Sequence, residues 1–318
     1  MRHLEAGLTP RVTALLFLLL AAIWGVAFVA IEIGLQHFPP LYFAGLRYLV
    51  AGTLIVAYAA VTTDYVLPRN RRDLLRIAVL SVFFIFGNQA FLYLGQQYVS
   101  GAIAAVVVSL SPVLTAVLAS LFLGDETLGR REAVGFLAGV VGVAIVANPT
   151  PGAFDATTVL GILLVLGSAT SFALGGVLSH PIPTTIPLTS LQGWSMLVGS
   201  GLLFGAGALR GESVASISLT PTALVSFAYL ALVSGAFAYL LYFVLLEAVG
   251  PAELNLVGYL EPVGATIAGW AILGELVGPT TAAGFALIVV GFALVKYDVL
   301  ARRFGIRVPG IARLRKYV

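Results

Sequence analysis

The chain has 318 residues, 60% of them hydrophobic and only 10% charged, with a mean hydropathy of +1.04. A soluble domain carries about 25% charged residues, so this balance excludes an ordinary soluble fold and points to a chain immersed in lipid. The net charge of +3 does not point to nucleic acid, because the basic residues cluster between apolar runs, where membrane topology accounts for them.

Apolar runs of about 20 residues, each long enough for a hydrocarbon core of about 30 Å, recur along the chain. They predict an all-α membrane protein with ten transmembrane helices at 12–35, 41–61, 74–94, 99–123, 131–148, 158–178, 188–208, 222–246, 252–273 and 280–297. Pro39 and Pro40, Pro149 and Pro151, Pro181 and Pro183, Pro221 and Pro279 fall between runs, where a residue without a backbone N–H belongs. The first run is too long for a signal-peptide core and leads straight into further spans, so no cleavage is expected.

The basic residues set the orientation. Arg2 and Arg11 precede or open the first span. Arg69, Arg71, Arg72 and Arg76 follow the second, and Arg130 and Arg131 follow the fourth. Lys296, Arg302, Arg303, Arg307, Arg313, Arg315 and Lys316 close the chain. With an even number of spans all of these share one face, while only Arg210 lies on the other and Arg47 is inside the second span. That bias puts the N and C termini in the cytoplasm of a multi-pass cell-membrane protein. The basic tail, 299–318, is expected to rest on anionic headgroups.

The chain also resembles itself. Tyr98–Glu126 aligns with Ala248–Leu276, placing Ser111 on Glu261, Pro112 on Pro262, Gly124 on Gly274 and Asp125 on Glu275. Gly135 and Gly142 fall on Gly284 and Gly291, and Ala21–Ala30 matches Ala169–Leu178 more weakly, pairing Trp24 with Phe172. The repeat divides the chain at 1–149 and 150–298, with five spans in each part. Five is odd, so the second part must enter the membrane upside down. Inverted repeats of this kind are a recurring build of secondary transporters, whose sites lie where the halves meet.

Several residues stand out against this background. Glu261 lies nine residues beyond the expected start of the ninth span, about 13–14 Å deep at 1.5 Å per residue. Pro262 cannot donate a hydrogen bond, which frees the carbonyl of Gly258. Glu261 either faces a cavity, binding a cationic group or carrying a coupling proton or cation, or bonds a neighbouring helix and holds the kink. Pro112 repeats the kink in the first half without the charge. Glu32 and Arg47 lie near the same membrane face and are expected to pair, with binding of a substrate carboxylate as the alternative for Arg47. Asp125, Glu126 and Glu275 close helices, where an acid opposes the dipole, so each is either a gate contact or a solvated end. Trp24 with Phe28, Asn88 and Gln89 with Tyr93 and Gln96, and Ser234 with Tyr239 and Tyr242 form stripes at helical spacing. Of these, Trp24, Asn88, Gln89, Tyr93, Tyr239 and Tyr242 are cavity candidates, joined by Ser111, Phe172 and Glu261. Gly135, Gly139 and Gly142 share one helix face and Gly201 and Gly205 another, suited to close packing within the bundle or to a dimer.

In Ala21–Leu35, Leu46–Gly52, Ser111–Glu126 and Ala238–Leu276 the chain resembles the drug/metabolite transporter superfamily, in its EamA branch. That resemblance implies a ten-helix fold of two inverted five-helix repeats, alternating access, and export or exchange of small metabolites such as amino acids. No Walker A sequence is present, so a gradient or the solute itself would supply energy. No enzyme is expected, since there is no buried His, no buried Asp pair and no G-x-S-x-G elbow. No His pair has metal-ligand spacing and cysteine is absent, so neither metal nor cofactor is expected. A non-transporting scaffold or a lipid or amphiphile flippase is the competing reading.

Overall fold

The computed structural model describes residues 9–123, 130–146, 156–250, 254 and 256–295. Those residues are helical, with short connections. The helices are α1 (Pro10–Gly34), α2 (Pro40–Thr62), α3 (Arg71–Gly95), α4 (Gly101–Leu123), α5 (Arg130–Val146), α6 (Ala156–Ser179), α7 (Leu188–Leu209), α8 (Pro221–Val249), α9 (Val257–Leu273) and α10 (Pro279–Val295). Six of them, α1, α2, α3, α4, α6 and α8, are long and apolar enough to cross a membrane. The outer surface of the bundle is apolar, with Leu15, Leu121, Leu137, Leu163, Val225 and Trp270 all exposed, as a lipid-facing surface requires.

The helix ends follow from local chemistry. Thr9, Asn70, Ser100 and Thr220 accept backbone N–H groups of the first turns of α1, α3, α4 and α8, satisfying donors the helix cannot. Pro10, Pro40 and Pro221 sit in first turns, where a missing N–H costs nothing. At α2 the preceding Pro39 offers no cap. The Glu212 carboxylate, from the segment after α7, accepts from Leu41 and Tyr42 N–H at 3.0 Å instead. Gly274, at φ +72°, closes α9 in a left-handed turn that a Cβ would strain.

Two expected spans differ in detail. The fourth is interrupted by a turn at Ser109 and Leu110, and a new helical stretch begins at Ser111. Pro112 therefore lies in a first turn, whereas Pro262 lies inside a helix. The ninth was expected from 252; its regular helix starts at Val257, with Leu254 helical just before it and Leu256 in a turn between. Sequence periodicity also missed three π-helical stretches, Leu80–Gly87 in α3, Tyr229–Phe237 in α8 and Gly269–Leu273 at the end of α9. The first two sit at matching places in the aligned halves.

Packing pairs the helices in a regular way. α5 lies against α10, α2 against α7, α1 against α9 and α8, and α6 against α4 and α3. Glycines set the closest approaches. A Cβ on Gly142 would stand 2.7 Å from the Gly284 carbonyl oxygen, and one on Gly291 would stand 2.5 Å from the Gly135 carbonyl oxygen. Higher numbers on α5 meet lower numbers on α10, so the two run antiparallel. The same holds for α2 and α7, where Gly45 faces Phe204 and Gly193 faces Val56. Gly201 and Gly205 face open space, so that small-residue face packs against nothing in the described bundle.

The connections are tied as well. Asp73 at the start of α3 is fully buried and accepts from the Tyr65 and Thr184 hydroxyls and the Arg69 N–H. Trp194 Nε1 donates to the Val66 carbonyl at 2.8 Å. These bonds join the α2–α3 connection to the start of α7. Tyr65, in that connection, is held above the usual phenol range because its hydroxyl donates to Asp73, and ionising it would set two anions side by side.

Candidate functional site

A cavity of about 170 Å³ opens among α1, α2, α3, α4, α6, α8 and α9, far above the roughly 10–15 Å³ one water needs on this measure. Trp24, Asn88, Gln89, Ser111, Phe172, Tyr239, Tyr242 and Glu261 all border it, together with Pro112. Of the expected lining residues only Tyr93 is displaced. It is fully buried, and its hydroxyl accepts from Arg47 Nη1 at 3.3 Å. Phe84, Tyr48, Arg47, Leu254, Val257 and Gly258 complete much of the wall. Phe84 was not singled out in the sequence, although it precedes Asn88 and Leu92 at a four-residue spacing that puts all three on one helical stripe.

Aromatic contacts shape two sides. Trp24 packs edge-on against Tyr239 at 5.6 Å and tilted against Tyr242 at 5.7 Å, while Phe84 meets Phe172 at 4.5 Å. The Trp24 indole N–H donates to the Ser234 carbonyl at 3.3 Å. The polar side is an amide pair. Asn88 Oδ1 accepts from the Ser168 hydroxyl at 2.9 Å and from Gln89 Nε2 at 3.3 Å, and buried Gln89 Oε1 has no partner. Gln96, further along α3, instead donates to the Phe28 carbonyl at 3.0 Å.

The charged groups depart from expectation. Arg47 does not pair with Glu32. Its Nε donates to the Leu230 carbonyl at 3.2 Å, its Nη2 to the Ser234 hydroxyl at 3.0 Å and its Nη1 to Tyr93, with the guanidinium 5.0 Å from the Tyr48 ring centre. Leu230 and Ser234 both lie in the π-helical stretch of α8. Glu32 accepts the Gly101 N–H at 2.6 Å, capping α4, and its carboxyl meets that of Glu275. The start of α4 and Glu275 thus take up the Glu32 carboxyl in place of Arg47. Glu261 makes no hydrogen bond or ion pair with any described residue. Among the described residues its carboxyl therefore makes no hydrogen bond to a neighbouring helix. Asp125 and Glu126 lie outside the described residues, as do the breaks at Pro149 and Pro151 and the basic tail. Among the described residues no cluster of three His, Asp or Glu is grouped to hold a metal.

The cavity wall has an internal correspondence. Trp24 and Phe172, Phe84 and Ser234, Gln89 and Tyr239, Leu92 and Tyr242, Val108 and Gly258, and Ser111 and Glu261 are pairs of aligned positions, and both members of every pair border the cavity.

The sequence profile of the EamA-like transporter family matches residues 11–148 and again 159–297. The chain belongs to the EamA-like transporter family. It is 30% identical to "Uncharacterized inner membrane transporter YedA" of Escherichia coli K12, an alignment covering 86% of this chain and 87% of the relative. It is 29% identical to "Uncharacterized transporter YvbV" of Bacillus subtilis 168, over 89% and 91%. It is 28% identical to "Probable amino-acid metabolite efflux pump" of Salmonella typhimurium LT2, over 92% and 97%. A solved crystal structure shares the fold with a TM-score of 0.64 at 20% identity, covering 91% of this chain and 97% of that one. This EamA-like chain is thus a multi-pass membrane transporter, acting in the lipid bilayer on a small-molecule substrate.

Proposed function

We propose that this EamA-like protein is a secondary exporter or exchanger of small organic metabolites, such as amino acids or related compounds. It works by alternating access around the cavity bordered by Glu261. It crosses the membrane ten times, as two inverted five-helix repeats, 1–149 and 150–298, followed by the cytoplasmic tail 299–318. The observation carrying this reading is the cavity wall, whose aligned positions meet in pairs around one space. A site on the axis between two repeats has that composition.

Three further features support it. Residues 11–148 and 159–297 each match the family profile. The contact of Gly142 with Gly284 becomes that of Gly291 with Gly135 when the halves are exchanged, and the Gly45–Phe204 contact likewise becomes Gly193–Val56. Aligned helices that pack antiparallel belong to repeats of opposite orientation. The amino-acid class rests on the name of the Salmonella relative. Substrate flux in reconstituted vesicles, screened over amino acids, amines, nucleosides and sugars, tests the reading, and a protein that moves none of them refutes it. In the same vesicles Glu261→Gln is expected to insert normally and to lose transport. Normal flux in that variant would remove Glu261 from the mechanism.

A further inference from the structure

The guanidinium of Arg47 and the carboxyl of Glu261, both at the cavity wall, each lack an ionic partner among the described residues. Arg47 is buried, and its three acceptors among the described residues, the Leu230 carbonyl, the Tyr93 hydroxyl and the Ser234 hydroxyl, are all neutral. A guanidinium has five N–H donors, so two remain, one on each Nη, with no acceptor among the described residues. Glu261 has no partner there at all. A guanidinium and a carboxyl border one cavity, with no ion pair between them among the described contacts.

At the aligned positions the other half carries no charge. Glu261 corresponds to Ser111, which spends its hydroxyl on the Val108 carbonyl of its own helix. Arg47, two residues after Gly45, corresponds to Ser195, two residues after Gly193, and Ser195 bonds the Leu191 carbonyl in the same way. A small hydroxyl bonded to its own helix fills the position in one half, and an unneutralised charge stands in the other. The π-helical stretch of α8 is what holds the guanidinium, supplying both Leu230 and Ser234. Wide turns of this type concentrate at functional sites.

We propose that Arg47 and Glu261 are specificity residues for a zwitterion, Arg47 taking its carboxylate and Glu261 its ammonium. The assignment rests on the carrier reading above and adds the two ends of the solute. The remaining Nη1 and Nη2 donors suit the two oxygens of one carboxylate, the fork geometry that arginine offers and lysine does not. Gln89, whose Oε1 has no partner among the described residues, also borders the cavity, and the walls of Trp24, Phe172 and Tyr239 suit an apolar or aromatic side chain.

The test is binding of three probes to the purified full-length protein in detergent. They are phenylalanine, phenethylamine, which lacks the carboxylate, and 3-phenylpropanoate, which lacks the ammonium. Wild type should prefer phenylalanine over each by roughly tenfold or more, the scale of losing a charge-assisted bond. Arg47→Gln should erase the preference over phenethylamine and keep that over phenylpropanoate; Glu261→Gln should do the reverse. Glu261→Ser and Arg47→Ser, which copy the aligned residues, provide folded comparators if a glutamine variant fails to elute as a monodisperse species. Unchanged preferences in these variants overturn the proposal. So does a wild type that treats the probes alike, or binds none, while carrying another solute across vesicles; the carrier reading survives that result. A protein that moves no solute at all overturns both.

Discussion

Gly25→Ala tests the closest approach behind the cavity. Helix α1 meets α9 there backbone to backbone. A Cβ on Gly25 would lie 2.7 Å from the Glu261 carbonyl oxygen, 2.8 Å from Gly264 Cα and 2.9 Å from Ala265 N, against ordinary contact at 3.4–4 Å. None of these atoms can rotate away, so α9 must retreat by several tenths of an ångström, and Glu261 moves with it. Overpacking of this kind costs about 1–3 kcal/mol, and backbone neighbours put the expected value in the upper half of that range. Gly176→Ala on α6 is the control, since nothing lies within 4 Å of its Cβ position. There alanine should be neutral or gain up to about 1 kcal/mol of helix propensity. Thermal unfolding in detergent, followed by loss of the monodisperse elution peak, reads both variants, and flux in vesicles reads the displaced Glu261. Equal stability and equal flux for the two variants would refute the packing argument.

Other outcomes follow from the same geometry. Single cysteines at Ser111 and Gly258, in a chain with no native cysteine, should react with a small soluble maleimide, because both positions border the cavity; complete protection of both sites would mean there is no wet space. Asp73→Ala strips the acceptor shared by Tyr65, Thr184 and Arg69 and should lower the unfolding temperature by several degrees, with Asp73→Asn milder; a wild-type melting curve for Asp73→Ala counts against that network. Deleting Leu232, which faces outward, should turn the π-helical stretch of α8 into regular helix, move Leu230 and Ser234 out of register with Arg47, and abolish flux. Undiminished flux in a well-folded deletion variant would show that the stretch does not position Arg47.

Much of the fold was legible because lipid makes sequence patterns explicit. A spanning helix must be long and apolar, and its ends show in prolines and caps, so α1, α2, α6 and α7 start and stop within two residues of expectation. The cavity was legible through the self-alignment, which brought in Ser111 and Phe172, residues with nothing unusual about them locally. What failed was direction within a helix. Tyr93 shares a stripe with Gln89, but it lies one turn further along α3, where its ring packs against Phe43 and its hydroxyl accepts from Arg47 instead of facing the cavity. Glu32 and Arg47 were matched on depth alone. Depth does not give azimuth, and Arg47 found two of its three acceptors on α8, one of them a π-helical carbonyl that has no sequence signature.

The neutral partners of Arg47 decide how its charge is to be understood. A charged side chain at membrane depth costs about 2.5–3.5 kcal/mol on insertion scales. Neutral hydrogen bonds return part of that, at about 1 kcal/mol net each, and they hold the guanidinium in place without cancelling its charge. An ion pair with Glu32 would have cancelled it, and the site would then have had no reason to admit an anion. Glu32 is engaged by the Gly101 N–H and by Glu275, so the charge on Arg47 stays available to whatever fills the cavity. The same holds for Glu261, whose carboxyl has no bond among the described residues. Filling the cavity with water alone would leave each ion solvated in a confined space between aromatic walls. A solute carrying both opposite charges neutralises the two at once and adds apolar contact that water cannot.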